Sequence, residues 1–431
     1  GLGNLVVALL GALGSRFDGA AVARQAIDVV ELAAGEQQAG NQRQRSGAEQ
    51  AAAQGVGFGQ PLAWDLPLTE GYPCRVLRPG RDGDQRNVHI AEGFELPLKQ
   101  ALRKHGLDPA EDCWFTNALI CRPPKDRAPT SAEVGYCRPN LIDTIKKLKP
   151  TCIILMGDAA IQSCLAYTWA GHDIGAASRW VGWQIPDQKI NAYLCPTWHP
   201  SYLQKMNDPV LEAQFESNIK AAVTVAKDYP WGKDHVLPKQ TIKHMYDDHE
   251  IDATVNHIIR IGKPVAFDYE TNMLKPDGKD SRIVCCSISN GKMSVAFPWS
   301  DRAAGNMRRL LRAGIPLYGY NAKFESRWSY RHMKVWPRVW AHDGMVAAHL
   351  LDNRPGITSL KFQSYVHFGQ PDYDSHIKPY LSGEGGNGPN RINQVDTESL
   401  LTYCAMDSLL EYRIAVRQME AINGLCRKAK G

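Results

Sequence analysis

The stretch Val265-Ala-Phe-Asp268-Tyr-Glu270-Thr271 decides how the second half of this chain reads. An apolar, β-prone run from Ile261 to Phe267 leads straight into Asp268 and predicts a strand. Side chains alternate with a period of two, so Asp268 and Glu270 share one face. Further on, Tyr320-Asn-Ala-Lys-Phe-Glu325 carries a third acid. A fourth lies in Tyr403-Cys-Ala-Met-Asp407, within a helical pattern from Thr397 to about Ile422, where i, i+4 spacing presents Tyr403 and Asp407 together. Phosphodiester hydrolysis by two divalent cations needs several hard oxygen ligands from separate elements, with the metals about 3.5–4 Å apart. A lone D-x-E is usually a strand-end turn or a solvated pair; three acidic stretches in this order and setting are not so easily dismissed.

The segments between them predict one mixed domain. Residues 282–289 and 294–299 read as strands joined by the Asn290-Gly291 turn, a hairpin signal. Helical patterns cover Asp301–Ala313, Ala341–Leu351 and Ser359–His367, and Leu317–Tyr320 is a short buried-strand candidate. Asp343 reads as structural. The Gly/Asn/Pro-rich run Ser382–Pro389 has the composition of a loop, either covering a cleft or a surface excursion.

In order, spacing and context the three acidic stretches resemble the DEDD superfamily of 3′-5′ exonucleases, in the tyrosine-bearing subgroup that includes the proofreading domain of family A DNA polymerases. The resemblance implies a ribonuclease H-like α/β fold. It also implies that Asp268, Glu270 and Asp407 ligate two Mg²⁺ or Mn²⁺ ions and that Tyr403 orients the attacking water. The family usually has Asp where this chain has Glu325, which keeps the charge but reaches one methylene further. Phe324 and Trp328 either stack bases or fill the core of their helix.

The first half carries a second resemblance. Cys113-Trp-Phe-Thr-Asn117-Ala-Leu-Ile-Cys121-Arg-Pro-Pro124 is followed by a helix opening on Thr130-Ser-Ala-Glu133, with capping-box spacing. Then come the apolar strand Thr151–Met156 and Pro196-Thr-Trp-His199-Pro200-Ser201-Tyr-Leu203. This order resembles the uracil-DNA glycosylase superfamily, in its iron-sulfur-containing family 4 type. It implies an α/β/α sandwich with a parallel central sheet, Asn117 as the uracil-reading amide, and His199 as the donor stabilising charge on the departing base. Two departures stand out. No Gly-rich G-E-x-P-G motif precedes residue 113. Cys121 and Cys137 match the second pair of cluster cysteines, but no upstream pair is visible and Cys74 alone cannot replace it, so a [4Fe–4S] cluster, which takes four thiolates, is doubtful.

The domains expected are therefore a low-information segment 1–90, a glycosylase-like domain 91–226, a linker 227–240 and an exonuclease domain 241–425. The chain starts at Gly1 rather than Met, which leaves a truncated or misframed N-terminus open. The apolar run Leu5–Leu13 is too short to span a bilayer and has no basic residues before it, so neither a membrane anchor nor a signal peptide is expected. A net charge of +5 permits DNA binding without demanding it; Arg308, Arg309 and Arg312 form a local basic cluster or the wet face of a helix. Eleven scattered cysteines fit reduced thiols in a cytoplasm, bacterial or phage-infected, with Cys285-Cys286 as core filling. The pairing of modules resembles the front end of certain phage family A polymerases, yet no polymerase motifs follow; a polymerase partner is one expectation, and single-stranded or frayed DNA 3′ ends are the expected substrate. Two alternatives are a uracil-excising enzyme and a non-catalytic DNA-binding or polymerase-tethering module.

Overall fold

The computed structural model describes residues 6–10, 92–120, 123–124, 127–227, 241–383 and 388–430. The chain divides into two compact units, one comprising Gly1–Tyr167, Trp180–Gly182 and Ile190–Tyr229, the other Thr168–Arg179, Trp183–Lys189 and Pro230–Gly431.

In the first unit, strands β1 (Val6–Leu10), β2 (Cys113–Asn117) and β3 (Cys152–Met156) are followed by β4 (Ile185–Asp187), which belongs to the second unit, and β5 (Ala192–Thr197). The four strands of the first unit neighbour one another in the order β2-β1-β3-β5. Its helices are α1 (Glu92–Lys104), α2 (Ser131–Leu148), α3 (Asp158–Thr168), α4 (Pro200–Met206) and α5 (Pro209–Lys227). The capping box is realised: the Thr130 hydroxyl accepts the Glu133 amide and the Glu133 carboxylate accepts the Thr130 amide. Every residue of β3 is buried, as its unbroken apolar sequence requires of a central strand.

The expected parallel central sheet is parallel only in part. β3 and β5 run parallel, but β1 lies antiparallel to both β2 and β3. A strand delivered from far upstream is not constrained by the crossover connection that forces successive strands parallel. Of residues 1–90 only this strand is described; the helical pattern at Ala20–Ala34 and Cys74 lie outside the described residues, as does the expected linker beyond Lys227.

The second unit holds a six-stranded mixed sheet. Its strands are β6 (Ile242–His244), β7 (Val265–Thr271), β8 (Ile283–Ser289), β9 (Ser294–Pro298), β10 (Leu317–Gly319) and β11 (Trp340–Asp343), in the order β11-β10-β7-β8-β9-β6. β8 is antiparallel to β7 and β9, while β10 runs parallel to β7 and β11. The helices are α6 (Asp248–Ile261), α7 (Asp301–Arg312), α8 (Ala322–Met333), α9 (Gly344–Leu351), α10 (Leu360–Phe368), α11 (Lys378–Leu381) and α12 (Thr397–Lys430). Residues 341–343 were expected to open a helix, but with Trp340 they form β11, because β10 offers a parallel ladder and the Asp343 carboxylate caps α9 by accepting the amides of Met345 and Val346.

Alternation along β7 sets the two layers. Val265, Phe267 and Tyr269 enter a core with residues of α6, α7 and α8, including Val255, Leu310 and Trp328. The intervening positions face α12: Ala266 packs with Ala415, and Cys285 and Ala296 of the neighbouring strands pack with Leu400, Tyr403 and Cys404. Trp328 is fully buried against Phe324 and His332, so it belongs to the core rather than to a base-stacking surface. Arg309 is likewise engaged within the unit, with Asn256, Asn306 and Asp252. The Asn290-Gly291 turn links β8 to β9; Gly291 has φ +80°, and a Cβ there would run into the Tyr412 ring of α12. Its carbonyl accepts from Arg413 Nε at 3.1 Å. Among the described residues no helix is long and apolar enough to cross a membrane.

Candidate active site

Because β7 turns its even-numbered side chains toward α12, Asp268 and Glu270 lie where that helix presents its own polar residues. Asp268 is half-buried, and Glu270, Tyr403 and Asp407 are buried. Cys404 approaches Asp268, its Sγ 3.7 Å from both the backbone carbonyl and Oδ2, and ligand atoms of Asp268, Glu270 and Cys404 lie within 4.8 Å of one another. Glu325 stands on the first turn of α8, which starts from Asn321 in the left-handed region at φ +70°. That turn is tied down by Asp343, which accepts the amides of Asn321 at 3.2 Å and Ala322 at 2.9 Å. The structural reading of Asp343 thus has four backbone amides behind it.

Three side chains at this site are not marked by the acidic motifs. Asp407 Oδ1 accepts from Lys361 Nζ and, at 2.5 Å, from the Tyr373 hydroxyl. Lys361 lies 4.3 Å from the Tyr373 ring centroid and 4.4 Å from that of Tyr403. The third is Glu411, one turn beyond Asp407 on α12 and 3% exposed. Its i, i+4 spacing was visible in the sequence; the contacts of Lys361 and Tyr373 left no local signal.

Burial, and then the crowding of carboxylates, dominates the electrostatics. Burial, and then the negative charge of Asp407, push Asp268 up to about 7, against the pull of Lys361. Burial and Asp268 likewise raise Glu270, Glu325 and Glu411 well above the usual carboxylate range. Burial, with Asp407 beside it, holds Tyr403 as a neutral phenol. Glu325 Oε2 and Glu411 Oε2 are both buried and have no hydrogen-bond partner among the described residues. Hard, acidic oxygens left unpaired in this way fit a divalent cation.

A pH dependence follows. The folded-state value of Asp268 lies above its ordinary 3.8, so the folded protein holds that proton more tightly than the unfolded chain. Without metal, this contribution to stability is complete below about pH 3.8 and is lost as pH rises through about 7. Cation binding needs the ionised form, so the stabilisation by added Mn²⁺ should grow over the same rise. Melting curves in EDTA and in MnCl₂ across pH 5–8 measure both trends; a metal-induced shift that shrinks with pH would contradict them.

The residues singled out in the first half lie on separate elements of the first unit. Asn117 ends β2, and its Oδ1 is buried without a partner among the described residues. His199 caps α4: its Nδ1 accepts the Ser201 amide at 3.1 Å and lies 2.7 Å from the Ser201 hydroxyl. Gly157, at φ +79°, passes so close that a Cβ there would lie 2.9 Å from His199 Cβ. Cys137 is half-buried on α2, whereas Cys121 lies outside the described residues.

Comparison with known proteins gives two findings. A family model described as the uracil DNA glycosylase superfamily matches residues 77–221. The type-4 uracil-DNA glycosylase of Archaeoglobus fulgidus is 36% identical over 147 residues, covering 33% of this chain and 70% of that protein. Among solved structures, the catalytic core of RRP6 from Trypanosoma brucei aligns with a TM-score of 0.30 and 14% identity, over 43% of this chain and 50% of that one. Escherichia coli RNase D, described as an exoribonuclease involved in structured RNA processing, aligns with a TM-score of 0.29 and 12% identity, over 41% and 44% of the two chains. This chain spans about half the length of these two solved structures.

Proposed function

We propose, from the premise that this chain belongs to the uracil DNA glycosylase superfamily through its first half, that it is a DNA-processing enzyme whose second half hydrolyses phosphodiester bonds from 3′ ends. What supports this reading is that Asp268 and Glu270 lie together on β7, that Asp407 of α12 acts on both, and that Asp268 acts on Glu325 of α8, whose buried Oε2 has no hydrogen-bond partner among the described residues. Its order of motifs is the one that resembles tyrosine-bearing 3′-5′ exonucleases.

These four acids would hold two divalent cations, Mg²⁺ or Mn²⁺, as an all-oxygen donor set suits. Such cations supply Lewis-acid polarisation of the phosphoryl group and an acidified water. The protein's own part is to position and to exclude solvent. Tyr403, held as a phenol by burial, offers its hydroxyl to the attacking water. The water oxygen forms the new bond to phosphorus and releases its proton to solvent. The 3′-oxygen of the shortened strand leaves with the bonding pair and is protonated, freeing a nucleoside 5′-monophosphate. Single-stranded or frayed DNA ends, a DNA polymerase as partner and a cytoplasmic setting complete the proposal.

Digestion of a 5′-labelled single-stranded oligonucleotide in Mg²⁺, Mn²⁺ or EDTA tests it. A metal-dependent ladder receding from the 3′ end is expected; an intact oligonucleotide with binding retained would point to a non-catalytic tethering module instead.

Uracil excision is a second reading, favoured by the Asn117 oxygen at the end of β2, which has no hydrogen-bond partner among the described residues. An amide there can both donate to and accept from a flipped base. A uracil-containing oligonucleotide should acquire alkali-labile sites, and Asn117→Ala should slow their formation by about 10²-fold, as loss of one preorganised donor does. Equal rates for the two proteins would remove Asn117 from the reading.

A further inference from the structure

Glu411 lies one turn after Asp407, on the face of α12 that packs over the sheet. It is 3% exposed, and its Oε2 has no hydrogen-bond partner among the described residues. A solvated helix position would show neither property. Its surroundings are acidic: Asp268, Glu325 and Asp407 all act on it, and Lys361 is the cation that opposes them. Lys361 is itself committed to Asp407 and to the Tyr373 hydroxyl. Glu325, on a different helix, repeats the pattern of a deeply buried carboxylate with an idle oxygen. Buried charges persist when they are paired or coordinate metals.

We propose that Glu411 is a fifth carboxylate of the metal centre, supplying an oxygen to the cation held by Asp407, so that the site takes up two divalent cations before any nucleic acid arrives. This rests on the phosphodiesterase reading above. The charges balance on that basis. When ionised, Asp268, Glu270, Glu325, Asp407 and Glu411 set against Lys361 leave four negative charges, which two divalent cations neutralise. With four carboxylates, the second cation would enter a site already near neutrality and would wait for the phosphate of the substrate.

The test is Mn²⁺ binding to the full chain without nucleic acid, followed by the loss of the free-ion electron paramagnetic resonance signal, with melting curves in EDTA alongside. The wild type should bind two ions. Glu411→Gln should weaken the second by at least about 10-fold, the lower end for loss of a metal-supporting group, and should raise the metal-free melting temperature by removing repulsion. Glu411→Met, similar in volume and uncharged, gives the same two readings where the amide variant does not fold. Two ions bound by either variant as tightly as by the wild type would overturn the assignment, and if Asp268→Ala at the same time lost binding, the phosphodiesterase reading would stand without Glu411. A wild type that binds no Mn²⁺ would overturn both.

Discussion

Asp268→Ala is expected to abolish 3′-end shortening, slowing it by at least about 10³-fold under saturating Mn²⁺. Loss of one preorganised electrostatic group in an active site costs about 10²–10³ in rate, and Asp268 does more than one such group. It lies on the central strand of its sheet, its carboxylate is within ligand distance of Glu270, and it acts on Glu270, Glu325 and Glu411 alike. Removing it takes away the charge around which the others are arranged. The measurement is single-turnover decay of a 5′-labelled oligonucleotide, with circular dichroism to show that the fold is kept. Shortening at one tenth of the wild-type rate or faster would mean that the acids do not form a catalytic centre.

Trp328→Ala should destabilise the second unit by about 3–5 kcal/mol, the range for truncating a large buried aromatic. The residue is 0% exposed and stacks on His332 at a centroid distance of 5.1 Å, with Phe324 on its other flank at 5.9 Å. It also lies one turn after Glu325, so the cavity would open beneath the helix that carries that acid. Urea unfolding followed by circular dichroism gives the magnitude; a loss below about 1 kcal/mol would indicate that neighbouring core residues collapse into the space.

The two predictions differ in how far the sequence alone could reach. β7 and its two acids were legible because strand alternation is local: once Phe267 is inward, Asp268 and Glu270 must share the other face. The pairing of Tyr403 with Asp407 was legible for the same reason, on a helix. Glu411 obeys an identical spacing but was passed over, since nothing in a helical repeat tells a solvated glutamate from one pressed against a sheet. Lys361 and Tyr373 reach Asp407 across 46 and 34 residues of chain, a distance no window of sequence spans. β11 was hidden for a related reason: residues 341–343 open a helical pattern, and only a neighbouring parallel strand makes the extended form the better choice. The direction of β1 in the first sheet also depends on partners rather than on its own apolar run.

The turn at Asn290-Gly291 contains no acid, yet it meets α12 next to Glu411. With no side chain, Gly291 lets the Tyr412 ring settle onto the backbone, and Arg413 clasps the same residue's carbonyl. The hairpin tip is thus an end-stop for a long lever. Its bare backbone is one of the contacts, with Ala266 against Ala415 and the Ser287 hydroxyl on the Cys404 carbonyl, on which α12 rests as it carries residues 407 and 411 over the sheet. In the reading proposed above, a surface turn that offers no ligand of its own therefore helps to seat the helix that carries two of the acids.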